Sequence, residues 1–358
     1  MADNSKIEWT DATWNPVTGC SVVSPGCTNC YAMRLAGGRM RSHPSRVGLT
    51  DRSKAGPVWN GRLIFNREWL DLPLRWRRPR MVFVCAHGDL FHENVPDEWI
   101  DRIFAVMALA PQHRFQVLTK RAARMREYMS SIDNGKCGRL DGYRDALIEG
   151  TAQEILYERF GEDSSMWLAV SLPLPNVWLG VSVEDQARAE ERIPDLLATP
   201  AAVRWVSAEP LLGPVDLEVA WAGETALNAE CWGECGWCEN GLPPLHNCQR
   251  GLGDERRVRS GLDWIVAGGE SGPGARPMHP DWARGLRDQC AAAGVPFFFK
   301  QWGEWAPETA AMNCPVCGKV EPGATGGLPG YMARVGKKAA GRELDGRTHD
   351  AMPERREP

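Results

Sequence analysis

Three cysteines near the start of the chain have a spacing suited to holding metal. Cys20, Cys27 and Cys30 lie in TGCSVVSPGCTNCYA, a C-x6-C-x2-C run. Three close thiolates with no fourth ligand beside them suit a site-differentiated iron–sulfur cluster, where three irons are held and one stays open to a substrate or cofactor. A structural zinc site instead closes its tetrahedron with four protein ligands. The next cysteine is Cys85, and His43 could complete a zinc site.

Nine of the twelve cysteines are grouped, which in a reducing compartment favours metal ligands over disulfides. Cys231, Cys235, Cys238 and Cys248 fall in ECWGECGWCENGLPPLHNCQRG, and Cys314 and Cys317 form CPVCG. Cys231, Cys235 and Cys238 also read C-x3-C-x2-C, but their surroundings are rich in Gly, Pro and Asn and carry His246 and Cys248 nearby. The expectation is a structural zinc on Cys235 and Cys238, completed by Cys248 and a neighbour or by Cys314 and Cys317, with Cys231 and His246 as alternatives. CPVCG also reads as an exposed turn with free thiols. Cys85, Cys137 and Cys290 stand alone.

Something must position these groups, and the chain shows recurring short apolar runs: Met81 to Ala86, Phe115 to Thr119, Val177 to Val183, Val203 to Ser207, Asp263 to Ala267 and Pro296 to Lys300. Nearly continuous apolar strands imply burial on both faces and hence a parallel sheet. Trp14 to Thr18 reads as an additional first strand. Between them lie helical patterns. Asp97 is expected to cap a helix built on Trp99, Ile100, Ile103, Phe104 and Met107; Ser182 with Asp185 to open one through Ala198; and Asp281 to Ala293 to form one stopped by Gly294. A surface helix is expected near Ala146 to Phe160. Polar residues gather where strands end: His87 and Asp89, Lys120 and Arg121, Ser182 and Glu184, Ser207 and Glu209, Gly268 to Ser271, Lys300 and Gln301. Because they recur at every strand end and not at one switch point, the expected fold is a partial (β/α)6–7 TIM-like barrel. It spans residues 1–310, with insertions at about 130–176 and 218–261, the latter Cys-rich. Residues 311–358 form a C-terminal extension with the CPVCG knuckle and a basic tail.

The chain has 358 residues, 43% hydrophobic and 25% charged, with formal net charge −4. That composition excludes wholesale disorder and a polycation that coats nucleic acid by bulk charge. MADNSKIEWTDATW does not read as a leader and no apolar run is long enough to span a membrane, so a cytoplasmic protein without a membrane partner is expected. Local charge differs from the total. Between Arg34 and Arg80 there are twelve basic residues against three acidic ones. RWRRPR interleaves Trp76 with Arg75, Arg77, Arg78 and Arg80, and Lys120, Arg121, Arg124 and Arg126 add a second stripe. Phosphate neutralisation with aromatic stacking is how exposed nucleotides are held, so nucleic acid is the expected partner. The 16 Trp fit base stacking or core packing.

IEWTDATWNPVTGC, SPGCTNCYA, DLFHENVP, VWLGVSVEDQ, RWVSAEPLLGPV, DWIVAGGESGPGARPM, FFFKQWGEW and VGKKAAGRELDGRTHD together resemble a phage and prophage family of radical-SAM-like proteins with a widened three-cysteine motif. That family is distantly similar to the spore photoproduct lyase group. The resemblance implies a [4Fe–4S] cluster on Cys20, Cys27 and Cys30, with S-adenosylmethionine (SAM) chelating the fourth iron. It also implies an external electron donor and reductive cleavage of SAM to methionine and a 5′-deoxyadenosyl radical. Taken with the basic segments, the leading expectation is that this chemistry acts on nucleic acid, in lesion repair or base modification. The insertion of three residues, Pro25 and Gly26 among them, lengthens the loop between the first two ligands at little entropic cost. Gly268, Gly269 and Glu270, or Asp89, Ser182 and Glu209, are the expected SAM contacts, since carboxylates match an ammonium and backbone N–H groups match a carboxylate. Cys85 is the expected hydrogen-atom donor, or else a small buried apolar residue. Two other readings stand beside this one: radical SAM chemistry on a peptide or small metabolite, and a metal-stabilised nucleic-acid-binding protein without catalysis.

Overall fold

The computed structural model describes residues 5–130, 143–161, 169–218, 225–227, 261–307 and 332–354. The chain divides into two compact units. One comprises Met1–Val22, Ala32–Gly180 and Ala198–Ala202; the other comprises Val23–Tyr31, Val181–Leu197 and Val203–Pro358.

The first unit is built on strands β1 (Ala12–Trp14), β6 (Met81–Val84) and β7 (Arg114–Thr119), with two short strand pairings between β1 and β6. There β2 (Val17–Thr18) pairs with β5 (Ile64–Phe65), and β3 (Thr50–Ser53) pairs with β4 (Gly56–Trp59), both antiparallel. β1 runs parallel to β6 with Trp14 opposite Val84, and β6 runs parallel to β7 with Val84 opposite Val117. The expected first strand is thus split: only its first residue, Trp14, is in the main sheet, while Val17 and Thr18 pair with β5. A parallel neighbour requires a crossover, supplied between β6 and β7 by α2 (Asp97–Ala108). Ile100, Ile103, Phe104 and Met107 of α2 are buried, as their spacing predicts. Its cap differs from expectation. Pro96 occupies the cap position with no side-chain bond, while Asp97 is paired with Arg124 and Arg144. At the helix end Asn176 Nδ2 donates to the Met107 carbonyl at 2.9 Å, beside the Ala110 N–H at 3.3 Å. Then come α3 (Ala122–Met129) and α4 (Tyr143–Phe160), and α4 packs on α2.

β8 (Val177–Ser182) runs from the first unit into the second, and the second continues with β9 (Val203–Ala208), β10 (Trp264–Gly268) and β11 (Phe297–Gln301). Every residue of β8, β9 and β10 is buried, the two-faced burial inferred from their apolar runs. β9, β10 and β11 are parallel, with Trp264 opposite Trp205 and Ile265 opposite Phe297. The two indoles lie 5.4 Å apart between ring centroids, and both are fully buried. In sheet order the seven strands follow the order of the chain, β1-β6-β7-β8-β9-β10-β11. α5 (Gln186–Leu197) links β8 to β9, opened by Asp185, whose Oδ1 accepts the Arg188 N–H at 2.9 Å. Ser182, expected to help cap it, is the last residue of β8. α6 (Pro280–Ala293) links β10 to β11 and ends at Gly294 in the left-handed conformation, φ 65°.

The described part of the C-terminal extension belongs to the second unit. β12 (Trp305–Pro307) pairs with β13 (Met332–Arg334), and the residues after β13 return to the main sheet. Phe299 N–H donates to the His349 carbonyl at 2.9 Å and the Trp264 indole to the Ala351 carbonyl at 2.9 Å. Asp345 takes both Arg284 and Arg287 of α6. Trp9, Trp14, Trp59, Trp178, Trp205, Trp264 and Trp302 are all buried, so this share of the tryptophan excess is core. No helix among the described residues is long and apolar enough to cross a membrane.

Candidate functional site

In the second unit, the loop carrying Cys27 and Cys30 is fastened at two points. A 3-10 turn, Pro25–Cys27, leads into the pair, and Cys30 N–H donates to the Cys27 carbonyl at 3.2 Å. The two thiols therefore stand one turn apart in the chain, the i, i+3 relation that puts side chains on one face. On one side, Ser24 Oγ donates to Glu184 Oε1 at 2.5 Å and lies 3.7 Å from Cys27 Sγ. Glu184 and Arg192 are fully buried and paired at 2.9 Å, and Arg192 also donates to the Ser182 carbonyl at 2.8 Å. Gly26 is required by this contact: a Cβ there would lie 2.3 Å from Glu184 Oε1 and 2.5 Å from its Cγ. The residues that widen the cysteine motif are those that seat the loop on Glu184.

On the other side, the loop is held by the G-G-E motif after β10. Asn29 Nδ2 donates to Glu270 Oε2 at 2.9 Å and to the Gly274 carbonyl at 2.8 Å. Arg276 donates to both Glu270 oxygens, and its Nη2 reaches the Pro25 carbonyl at 3.0 Å. Burial alone would raise the Glu270 carboxyl, but hydrogen bonds from Arg276 and Asn29 outweigh it and hold it below the usual range. Gly269 is held close by the chain itself, since a Cβ there would meet the Trp302 carbonyl oxygen at 2.0 Å, and its N–H donates to the Gln301 carbonyl. Gly268 lies beside Glu209, a Cβ there falling 3.4 Å from Glu209 Oε1. Glu209 is paired with Lys300 at 2.7 Å and accepts a longer bond from Gln301.

In the first unit, Cys20 is the end of a buried charge network. Arg121 Nη1 donates to Cys20 Sγ at 3.4 Å and to Asp89 Oδ2 at 3.1 Å, its Nε to Glu93 at 3.2 Å, and its Nη2 to Ser21 Oγ at 2.6 Å. Burial would lower the Arg121 guanidinium, but Asp89, Cys20 and Glu93 raise it instead. Asp89 is filled by Thr119 Oγ1 at 2.6 Å, the Lys120 N–H at 3.0 Å and the Phe91 N–H at 3.0 Å. His92 Nδ1 accepts the Asn94 N–H, so its proton sits on Nε2 and points at Ser21 Oγ, 3.0 Å away. A second pair, a buried arginine with a half-buried histidine, stands at the β6 end. Arg46 donates to His87 Nδ1 at 2.5 Å, and burial followed by the Arg46 charge takes the imidazole down to about 3. Cys85 lies just past β6 rather than in mid-strand. It has φ 55°, its N–H donates to the Trp14 carbonyl at 2.7 Å, and burial pushes its thiol up to about 12.

Sequence and structure therefore divide the expected site residues differently. Asp89 and Glu270, expected on SAM, have their oxygens engaged by protein groups, and Gly269 N–H is engaged too; Glu209 is paired and Ser182 buried. Arg121, expected on phosphate, is 7% exposed and turned inward to Cys20. Lys120 is half-buried. Arg75 is paired with Asp71 at 2.6 Å, and Trp76 has Arg80 over its ring and the His113 edge against it. Arg77 and Arg78 are exposed. His43, the alternative zinc ligand, has Nδ1 2.7 Å from Ser45 Oγ. Cys137, Cys231, Cys235, Cys238, His246, Cys248, Cys314 and Cys317, with the proposed zinc, lie outside the described residues. Ser24, Asn29, Arg192 and Arg276 escaped the sequence reading. Ser24 and Asn29 sit inside the motif, but their partners are some 160 and 241 residues away in the chain.

Among the described residues, no three His, Cys, Asp or Glu side chains are gathered closely enough to hold a metal ion. The donor types nevertheless fit a thiolate-bound cluster. Cys20, Cys27 and Cys30 are thiols and not disulfides, two of them a turn apart and the third facing a guanidinium that favours thiolate. No curated protein and no solved structure matches the chain. One family model does, over residues 4–353, nearly the whole length. The chain belongs to the family described as Protein of unknown function (DUF5131).

Proposed function

We propose that the chain is a radical SAM enzyme whose [4Fe–4S] cluster is held by Cys20, Cys27 and Cys30, and that it acts on nucleic acid. The carrying observation is the three-thiol run itself, whose last two members sit in a loop fastened to Glu184 and Glu270. Seven strands in chain order, with helical crossovers and no reversal of strand order, support a partial (β/α) barrel of the radical SAM type. When bound, the cluster would supply one electron for reductive cleavage of SAM.

The chain's own groups have separate tasks. Glu184 and Glu270 fix the loop so that Cys27 and Cys30 need no reordering on metal binding, which lowers the entropic cost of binding. Arg121 favours the ionised form of Cys20, the form a metal needs. Cys85 is held as a thiol at any physiological pH, the form able to give up a hydrogen atom. Its left-handed backbone is a local strain of about 1–3 kcal/mol. Glu209 with Lys300, and Ser182 behind them in the sheet order, remain the polar strand-end groups proposed to face SAM.

The test is anaerobic reconstitution with iron and sulfide. About four irons per chain and a brown protein are expected for wild type, with loss of both in Cys20→Ala, Cys27→Ala and Cys30→Ala. A colourless protein whose N-terminal thiols hold zinc would refute the proposal.

A further inference from the structure

Folding sorts the basic run between Arg34 and Arg80 into cations that the protein uses on itself and cations that it leaves to solvent. Arg46 is buried against Ser45 and His87. Arg75 is bidentate to Asp71, which also takes Arg159. Arg80 lies over Trp76. Arg39, Arg41, Arg52, Lys54 and Arg62, by contrast, are exposed and enter no ion pair among the described residues. In RWRRPR, Arg75 and Arg80 are committed in this way, while Arg77 and Arg78 are exposed.

Arg52 and Lys54 sit at the end of the β3–β4 ribbon. Its turn is closed by Ser53, whose Oγ donates to the Gly56 carbonyl at 2.8 Å and accepts the Ala55 N–H at 3.2 Å. The ribbon leads straight to the first cysteine: Gly61 N–H donates to the Cys20 carbonyl at 3.2 Å. Gly19, at φ 104°, lets the two segments meet, because a Cβ there would lie 2.1 Å from the Arg62 carbonyl oxygen. The end of the ribbon, Arg-Ser-Lys-Ala-Gly, holds no aromatic ring on which a base could stack, so its chemistry is suited to phosphates. A two-stranded ribbon is also an element that a duplex groove admits.

We infer that the β3–β4 ribbon, with Arg62 at its base, holds the sugar–phosphate backbone of a nucleic acid beside the Cys20 segment. This deepens the nucleic-acid part of the function proposed above and does not depend on the iron chemistry. The test uses the full chain and a fluorescent DNA duplex, with affinity measured across a salt series. In Arg52→Ser/Lys54→Ser/Arg62→Ser, the slope of log affinity on log salt should fall by roughly two to three, about one per lost phosphate contact. Affinity at physiological salt should fall at least tenfold, with the melting temperature unchanged. Arg75→Ser, a committed cation, should bind like wild type. Unchanged slope and affinity in the triple variant, or an equal loss in Arg75→Ser, would overturn the inference. Iron content measured on the same samples separates the two claims. A wild type without iron whose ribbon still governs DNA binding refutes the radical SAM reading alone, whereas a cluster-loaded wild type indifferent to DNA refutes the ribbon and the nucleic-acid part of the function and leaves the cluster standing.

Discussion

Gly26 and His87 are the residues where single-atom changes should be most visible. A methyl group at Gly26 has no room against the Glu184 carboxylate, and overpacking of this kind costs about 1–3 kcal/mol. Gly26→Ala should therefore fold but take up iron severalfold less well, read as iron per chain after reconstitution, while Ala at exposed Thr28 should not. His87 gives a pH signature. Its folded value, about 3, lies below its ordinary 6.5, so between those values the unfolded chain binds the extra proton. Stability attributable to this residue is thus complete above pH 6.5 and is lost as pH falls toward 3. His87→Gln should flatten that part of the curve of denaturation midpoint against pH; an unchanged curve would show that Arg46 and His87 are not coupled as the geometry implies. Neither residue stands out in the sequence as strongly as its role warrants. Gly26 is one of 37 glycines, and the fate of His87 depends on a buried arginine 41 positions earlier.

Elements were more legible than residues. Six apolar runs and three helical patterns have counterparts within a few residues, because burial on both faces writes itself as nearly continuous Val, Leu, Ile and Trp, as in β8 and β10. Caps were less legible. Asp97 has the type and position of a cap, yet Arg124 and Arg144 draw it away, and the sequence shows no sign of that competition. The same network links α2, α3 and α4: Asp101 accepts from Tyr128 at 2.7 Å and Arg144 at 3.0 Å, in a setting buried enough to raise both Asp101 and Tyr128. Removing one member of a buried pair leaves the other uncompensated. Arg144→Leu should lower unfolding stability by about 3 kcal/mol in urea, whereas exposed Arg126→Leu should change it by less than about 0.5 kcal/mol. At the other end of the chain, hydrogen bonds from Arg284 and Arg287 hold Asp345 down to about 2. The contribution of this clamp is present above the ordinary value of 3.8 and is lost as pH falls through about 2. Asp345→Asn should accordingly ease proteolytic removal of the C-terminal segment at neutral pH, and an unaltered cleavage rate would show that the clamp does not hold the segment.

For the whole molecule, a net charge of −4 conceals an uneven division of labour. Of the conspicuous basic residues, some are structural and others are left exposed to solvent, and only the fold tells them apart: Arg121 serves Cys20 while Arg52 and Lys54 are exposed on a ribbon. The tryptophan excess resolves in the same way, with Trp14, Trp205 and Trp264 spent on the core. The central claim is that Cys20, Cys27 and Cys30 hold a cluster that acts on SAM. Its most direct measurement is the release of 5′-deoxyadenosine from SAM by reconstituted, chemically reduced protein, compared between wild type and Cys30→Ala. The account predicts release by wild type and none by the variant; release undiminished in Cys30→Ala, or none from an iron-loaded wild type, would contradict it.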